Sequence, residues 1–399
     1  MIDRRRLVAA ATACAFAPSF ASAADADLDT LLSDINSGLT SQDPAGAAAG
    51  AARLARLDPA GLSPVRRLER AAVLGGLRRE AILRDGDYAG RLQLALGKAI
   101  GPAAAHRRAV AEGQALQARA DALLRGQGLR QGSVAERLRV FARDGRFLYA
   151  DSGAGRDQAV AEMNRALARL RPRLPQAFGD LAVPPAAVRR MSPEDEARGR
   201  SGYREDAAPG RPGLYFVDLK DIRARPSWTL ASVAHHELVP GHILQGRLQA
   251  DAWPHPLRLR YSGAFSEGWA TYAEQLAGDL GVYRDDPAGE IGALQWRLFR
   301  VARIVADTGL GALGWSHDRA EAAMRDLQGQ SIAFVTIEAD VRRMGETPGA
   351  AAAQGLMALE IARLRGPTAA APAFHRAVLT DGPWPLDALE QRVRMRLPP

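Results

Sequence analysis

The run His236-Glu237-Leu238-Val239-Pro240-Gly241-His242 constrains the fold of this chain more than any other stretch. The sequence has seven histidines, and His235, His236 and His242 all stand in or beside this run, next to Glu237. Two histidines four apart on a helix, with a glutamate after the first, present two zinc ligands and a general base on one face. Here the second histidine follows the first by six residues. On a regular helix that step is roughly 9 Å of rise and about 240° of rotation, so the rings would point apart. Pro240 removes the expectation of regularity, because it lacks an amide hydrogen and its ring would clash with the carbonyl of His236, four residues back. Gly241 accepts whatever backbone angles follow. The sequence therefore predicts a bulge or kink at Pro240-Gly241 that brings His242 round to share a metal with His236. His235 faces away by helix phase and is expected behind the ligands rather than among them.

A catalytic zinc takes three protein ligands and leaves a position for water, whose pKa falls to about 7 on the metal. The next helical pattern, Ser266 to Leu276, offers the third ligand. Trp269, Ala273, Leu276 and Leu280 would face the core, while Glu267, Thr271 and Glu274 form a polar stripe beside them. Glu267 is the expected ligand and Glu274 the expected partner of a ligand histidine. A His-His-Glu run without the Pro240-Gly241 feature, or the Glu267-Glu274 stripe by itself, reads more readily as a solvated polar face; the two stretches together favour a metal site.

The remaining composition narrows the classes. With 399 residues, 47% hydrophobic and 25% charged, the chain has ample length for a sizeable core. The formal charge is +8, but it comes from arginines that alternate with acids along helical stretches, with Lys98 and Lys220 the only lysines. No basic run is interleaved with aromatics, so nucleic acid is not an expected partner. Residues 1–23 read as an export signal: Arg4-Arg5-Arg6, Leu7-Val8, an alanine-rich apolar run and a small-residue cleavage site at Ala21-Ser22-Ala23. The Arg-Arg-x-Leu-Val pattern is similar to a twin-arginine signal, with a Sec signal or a short anchor as alternatives. Cys14 lies within this segment, and Ala11 before it is smaller than a lipidation site requires. Cleavage would remove three arginines and one aspartate, leaving a charge of +6, together with the only cysteine. Any metal must then rest on histidine and carboxylate. No later apolar run approaches the roughly 20 residues of a membrane span, so a periplasmic location is expected. Nothing in the sequence sets an oligomeric state.

Hydrophobic spacing predicts a mainly α fold with a small β element before the metal-binding helix. Helical patterns cover Leu28 to Gly132, including Pro64 to Leu83 and Ala104 to Leu124, and continue through 133–177. Strands are predicted at Ala186–Met191 and Gly213–Leu219, with a loop at 192–212 between them. Further helices are expected at Glu290–Thr308, stopped by Gly309 and Gly311, and at 317–328, 331–344, 350–364 and after Pro385. The domain division expected is 1–23 signal, 24–139 N-terminal helical region and 140–399 catalytic region. Asp340 and Arg343 could form a buried pair near the cleft. His375 and Arg343 are candidate substrate or oxyanion contacts, although a lone histidine in an apolar run is more often a core residue. His106 and His317 are expected at the surface.

His236-Glu237-x-x-Pro240-Gly241-His242-x-x-Gln245, followed by Glu267-Gly268-Trp269-Ala270-x-Tyr272-Ala273-Glu274, resembles the family catalogued as domain of unknown function 885. Arg211 to Tyr215, Asp307 to Leu310, Gly314-Trp315-Ser316 and Phe374-His375 extend the resemblance over about residues 140–395. It implies a zincin-like helical metallopeptidase with His236, His242 and Glu267 on Zn2+, Glu237 activating water, Gln245 beside the ligands, and a peptide as substrate. Gly311 stands where the family usually has histidine, and Gln354 where it has tyrosine. Those two side chains would suit an oxyanion. The functional expectation is a periplasmic zinc-dependent peptidase; the alternative is a catalytically impaired, metal-containing helical binding protein.

Overall fold

The computed structural model describes residues 23–250, 254–332, 335–366 and 371–397, so the expected export segment lies outside it except for Ala23. The chain begins with α1 (Ala23–Gly38), α2 (Pro44–Ala55), α3 (Pro64–Ala81), α4 (Tyr88–Leu96) and α5 (Pro102–Gly126). Three of these start on a proline, whose missing amide hydrogen has no partner at a helix start in any case. Helices α1 to α3 enclose their own apolar cluster of Leu28, Leu32, Ile35, Leu54 and Leu77, closed by Tyr261 from far along the chain.

Next come α6 (Val134–Phe141), α7 (Gly153–Leu170) and α8 (Leu174–Phe178), then a small sheet with β1 (Ala186–Arg190), α9 (Pro193–Ala197), β2 (Tyr203–Glu205) and β3 (Gly213–Val217). The strand order is β1-β3-β2, with β1 parallel and β2 antiparallel to β3. Both expected strands form. The expected loop at 192–212 instead holds a short helix and β2. Three residues are too few to show an alternating pattern, and β2 exists because Arg204 pairs with Tyr215 of β3.

The rest is helical: α10 (Ser227–Glu237), α11 (His242–Gln249), α12 (Pro256–Arg260), α13 (Phe265–Asp279), α14 (Pro287–Ala312), α15 (His317–Gln328), α16 (Ile337–Glu346), α17 (Ala350–Arg365), α18 (Ala371–Leu379) and α19 (Leu386–Arg396). Helix α14 is the axis of the molecule, packed by α5, α10, α15 and α17. It passes the two glycines expected to stop it. Trp315 folds back over Gly309, and a Cβ there would stand 2.2 Å from the indole, so this glycine serves packing inside a helix. The main core joins Leu92, Leu116 and Leu124 to Trp269, Leu298 and Ile304, and so runs across residue 140. Each such fully buried side chain contributes about 1.5–3 kcal/mol of transfer free energy. Among the described residues no helix is long and apolar enough to cross a membrane.

Candidate metal centre

The helix carrying His236 does not merely kink after it; it ends. Helix α10 stops at Glu237, Leu238 adopts φ −111° and ψ −99°, the Val239–Pro240 peptide is cis, and α11 starts afresh at His242. The Gly241 amide donates to the His235 carbonyl at 3.0 Å, and the Ile243 amide to the Leu238 carbonyl at 3.0 Å, which satisfies groups freed by the break. A Cβ on Gly241 would stand 1.8 Å from the His236 carbonyl oxygen, so only glycine fits. Trp269 of α13 donates its indole N–H to the Pro240 carbonyl at 3.0 Å and ties the break to the helix bearing Glu267. The two rings come to 4.9 Å between centroids, nearly perpendicular. His236, His242 and Glu267 form a group whose ligand atoms lie within 4.8 Å of one another.

Neighbours set which nitrogen of each ring is free. His236 Nδ1 stands 2.8 Å from Glu274 Oε1, an acceptor, so Nδ1 keeps a proton and Nε2 is the nitrogen turned towards Glu267. The Ser266 hydroxyl donates to Gln245 Oε1 at 3.2 Å and so accepts from His242 Nδ1, also at 3.2 Å, leaving His242 Nε2 without a hydrogen-bond partner. Both Nε2 atoms face Glu267, at 3.6 Å from His236 and 3.4 Å from His242. Arg300 of α14 lies 3.3 Å from His236 Nε2 and donates to Glu267 Oε2 at 3.4 Å. Burial and Arg300 push the His236 pKa down, but the Glu267 and Glu274 carboxylates outweigh them and hold it up at about 9. Burial lowers His242. For Glu267 burial acts upward, yet the two histidines and Arg300 hold its carboxyl well below the usual range.

His236, Glu267 and Glu274 line a cavity of about 360 Å³ whose walls also include Glu237, Arg300, Arg303, Arg343 and Gln354. Glu237 is in an ion pair with Arg204 of β2. Arg303 pairs with Asp340 at 3.0 Å and donates to Gln354 at 3.2 Å. Asp340 therefore does not pair with Arg343, as the sequence suggested, because the buried guanidinium on α14 reaches it first. Arg343 is exposed at the cavity wall. His375 is fully buried; its Nδ1–H donates to the Ala177 carbonyl at 2.8 Å and its Nε2 accepts from the Tyr272 hydroxyl at 2.8 Å, so neither nitrogen is available to a substrate. His235 is buried against Tyr283, at 3.3 Å, and is not in the cavity wall; burial lowers its pKa to about 4. His317 is exposed, whereas His106 is half-buried and bonded to Thr308 at 2.8 Å. The two departures from the family pattern separate in space. Gln354 lines the cavity, while Gly311 lies eleven residues beyond Arg300 on α14, about 16 Å along the axis. A Cβ at Gly311 would meet the Tyr88 ring at 1.9 Å, so that position faces packed side chains rather than the cleft.

Sequence reasoning missed Arg204, Ser266, Arg300 and Arg303. The arginines of α14 left a trace, since two cations three apart among Trp296, Phe299 and Ile304 on a largely apolar helix must be buried and paired. Arg204 left none, because its role depends on the pairing of β2.

Comparison with known proteins agrees with this architecture. A candidate lipoprotein from Colwellia psychrerythraea has a TM-score of 0.70 and 24% identity, over 92% of this chain and 69% of that protein. A candidate lipoprotein of unknown function from Shewanella oneidensis has a TM-score of 0.62 and 18% identity, over 91% and 69%. At these identities the likeness is one of fold. No curated protein sequence matches the chain. A family described as bacterial protein of unknown function (DUF885) matches residues 84–393, which include the helical break, the polar stripe of α13 and the arginines of α14, and the chain belongs to that family.

Proposed function

We propose that this chain is an exported zinc-dependent peptidase with a zincin-like helical site, in which His236, His242 and Glu267 hold the metal and Glu237 moves the proton. The observation that carries the reading is the meeting of two buried imidazole nitrogens with one carboxylate at a cavity. Ligands about 2.1 Å from a tetrahedral zinc stand roughly 3.4 Å apart. The Nε2 atoms of His242 and His236 lie 3.4 and 3.6 Å from the Glu267 oxygens. His242 Nε2 is buried with no hydrogen-bond partner. Such an orphan costs about 1–3 kcal/mol unless a metal takes its lone pair.

Zinc there supplies a Lewis acid for the scissile carbonyl and acidifies water. The chain's own residues do the rest. Glu274 and Ser266 keep both imidazoles in the tautomer that faces Glu267. Glu237 takes the proton of the attacking water and delivers it to the leaving amine. Arg204 orients Glu237, and Arg300 presents positive charge near the carbonyl oxygen as that oxygen gains charge. Export to the periplasm is supported by the Arg4-Arg5-Arg6 leader pattern and by the description of both similar structures as candidate lipoproteins.

Purified protein should hold about one zinc per chain. Glu237→Gln should keep that zinc while losing roughly 10²–10⁴-fold in peptide hydrolysis. Metal-free protein, or unchanged turnover in the variant, would sink the reading. The Arg204–Glu237 ion pair favours one other reading, a catalytically impaired, metal-containing binding protein whose Glu237 carboxylate is held by the guanidinium. Zinc bound without cleavage of any library peptide selects it.

A further inference from the structure

Three arginines line the cavity, and two of them are already engaged. Arg300 is held by Glu267, with Glu274 Oε1 at 3.8 Å, and Arg303 is held by Asp340 and Gln354. Arg343 is different. Asp340, one turn before it on α16, is turned to Arg303, and no carboxylate stands in ion-pair contact with Arg343 among the described residues. It is also exposed at the cavity wall rather than committed to the core. The cavity thus has a proton-moving, metal-ligating end and, on a different helix, a guanidinium with both donor edges free.

The cleft has room for a ligand that bridges these two features. About 360 Å³ lies at the lower end of the roughly 300–1,000 Å³ typical of small-molecule sites, enough for a short peptide end. A planar guanidinium recognises a carboxylate in bidentate fashion, and a peptide has a guaranteed carboxylate at only one place, its C-terminus. We propose that Arg343 binds the free α-carboxylate of a peptide whose scissile carbonyl lies over His236, His242 and Glu267, so that the protein is a carboxyl-terminal exopeptidase. This rests on the peptidase reading above. In the reaction, water adds its oxygen to the scissile carbonyl carbon and the C–N bond breaks. The proton passes through Glu237 to the amine of the released C-terminal fragment, which Arg343 holds by its carboxylate.

The test uses the zinc-loaded full chain with pairs of peptides of one sequence, ending either in a free carboxylate or in an amide. Wild type should prefer the free acid roughly ten- to a hundredfold in kcat/KM, the range of a charge-assisted hydrogen bond. Arg343→Ala should collapse that preference mainly through KM, and Arg343→Lys should restore part of it. Equal cleavage of acid and amide by wild type, or a preference that survives in Arg343→Ala, overturns the proposal. A second arm measures binding of the same peptides to zinc-loaded Glu237→Gln by calorimetry, with and without Arg343→Ala. If wild type cleaves nothing, the peptidase reading has failed, and this arm still decides the carboxylate site. An acid preference that needs Arg343 supports it, and equal binding of acid and amide overturns it.

Discussion

Glu274 shows what a single buried group contributes to this centre. It is 2% exposed and touches no cavity ligand except His236, whose Nδ1–H it accepts. Glu274→Gln should leave the fold intact and weaken zinc binding roughly 10–100-fold, read by competition with a chelator of known affinity. Gly241 acts through backbone rather than charge. Gly241→Ala would drive a methyl group into the His236 carbonyl, so it should cost about 1–3 kcal/mol in urea unfolding and lower zinc occupancy with it. The requirement for a distortion at Pro240-Gly241 was legible in the sequence, because a proline's clash four residues back is a local matter. That the distortion would be a complete break, with His242 opening a new helix, was not legible. At the break the Pro240 carbonyl is met by the Trp269 indole from another helix, a contact between distant segments.

At the scale of elements, α14 positions α17 as well as the site. Asp307 on α14 accepts from the Gly349 amide at 2.9 Å and the Ala352 amide at 2.8 Å, capping the start of α17 from outside it. Gln354, one turn on, is thereby set in the cavity wall. Asp307→Ala removes both bonds and should lower the urea midpoint by the equivalent of about 1–3 kcal/mol. Local punctuation located many of these elements: α15 spans 317–328 as its spacing predicts, with Ser316 capping it. Helix α16 starts later than its apolar pattern suggests, because Thr336 caps it by accepting from the Ala339 amide. Helix α14 runs past Gly309, where contact with a distant tryptophan outweighs the intrinsic cost of a helical glycine, about 1 kcal/mol.

The whole molecule sets the chemistry of groups that no local pattern describes. His375 sits among Phe178, Trp269, Tyr272 and Phe374, and burial depresses its pKa from 6.5 to about 4. The unfolded chain takes up this proton near pH 6.5 and the folded chain only near 4. The associated stability is therefore complete above about pH 6.5 and is lost as pH falls towards 4, by up to about 3 kcal/mol. Unfolding titrations of wild type and His375→Gln across that window should differ by up to one proton taken up. Metal linkage acts at the same scale: if zinc binds only the folded chain, free zinc at a thousand times its dissociation constant adds about 4 kcal/mol, and a chelator should lower the melting midpoint accordingly. The sequence by itself determined a helical protein with one small sheet, the ligand residues His236, His242 and Glu267 as a candidate set, and the need for a helix to fail between two of them. All of these follow from periodicity, side-chain chemistry and steric rules that act within a few residues. Only the tertiary structure decided that Glu274 would hold His236, that Arg204 would pair with Glu237, that Arg303 would take Asp340 and leave Arg343 free, and that His375 would be spent in the core. Each of those choices is a competition between groups far apart in the chain, and the winner depends on which helices pack side by side.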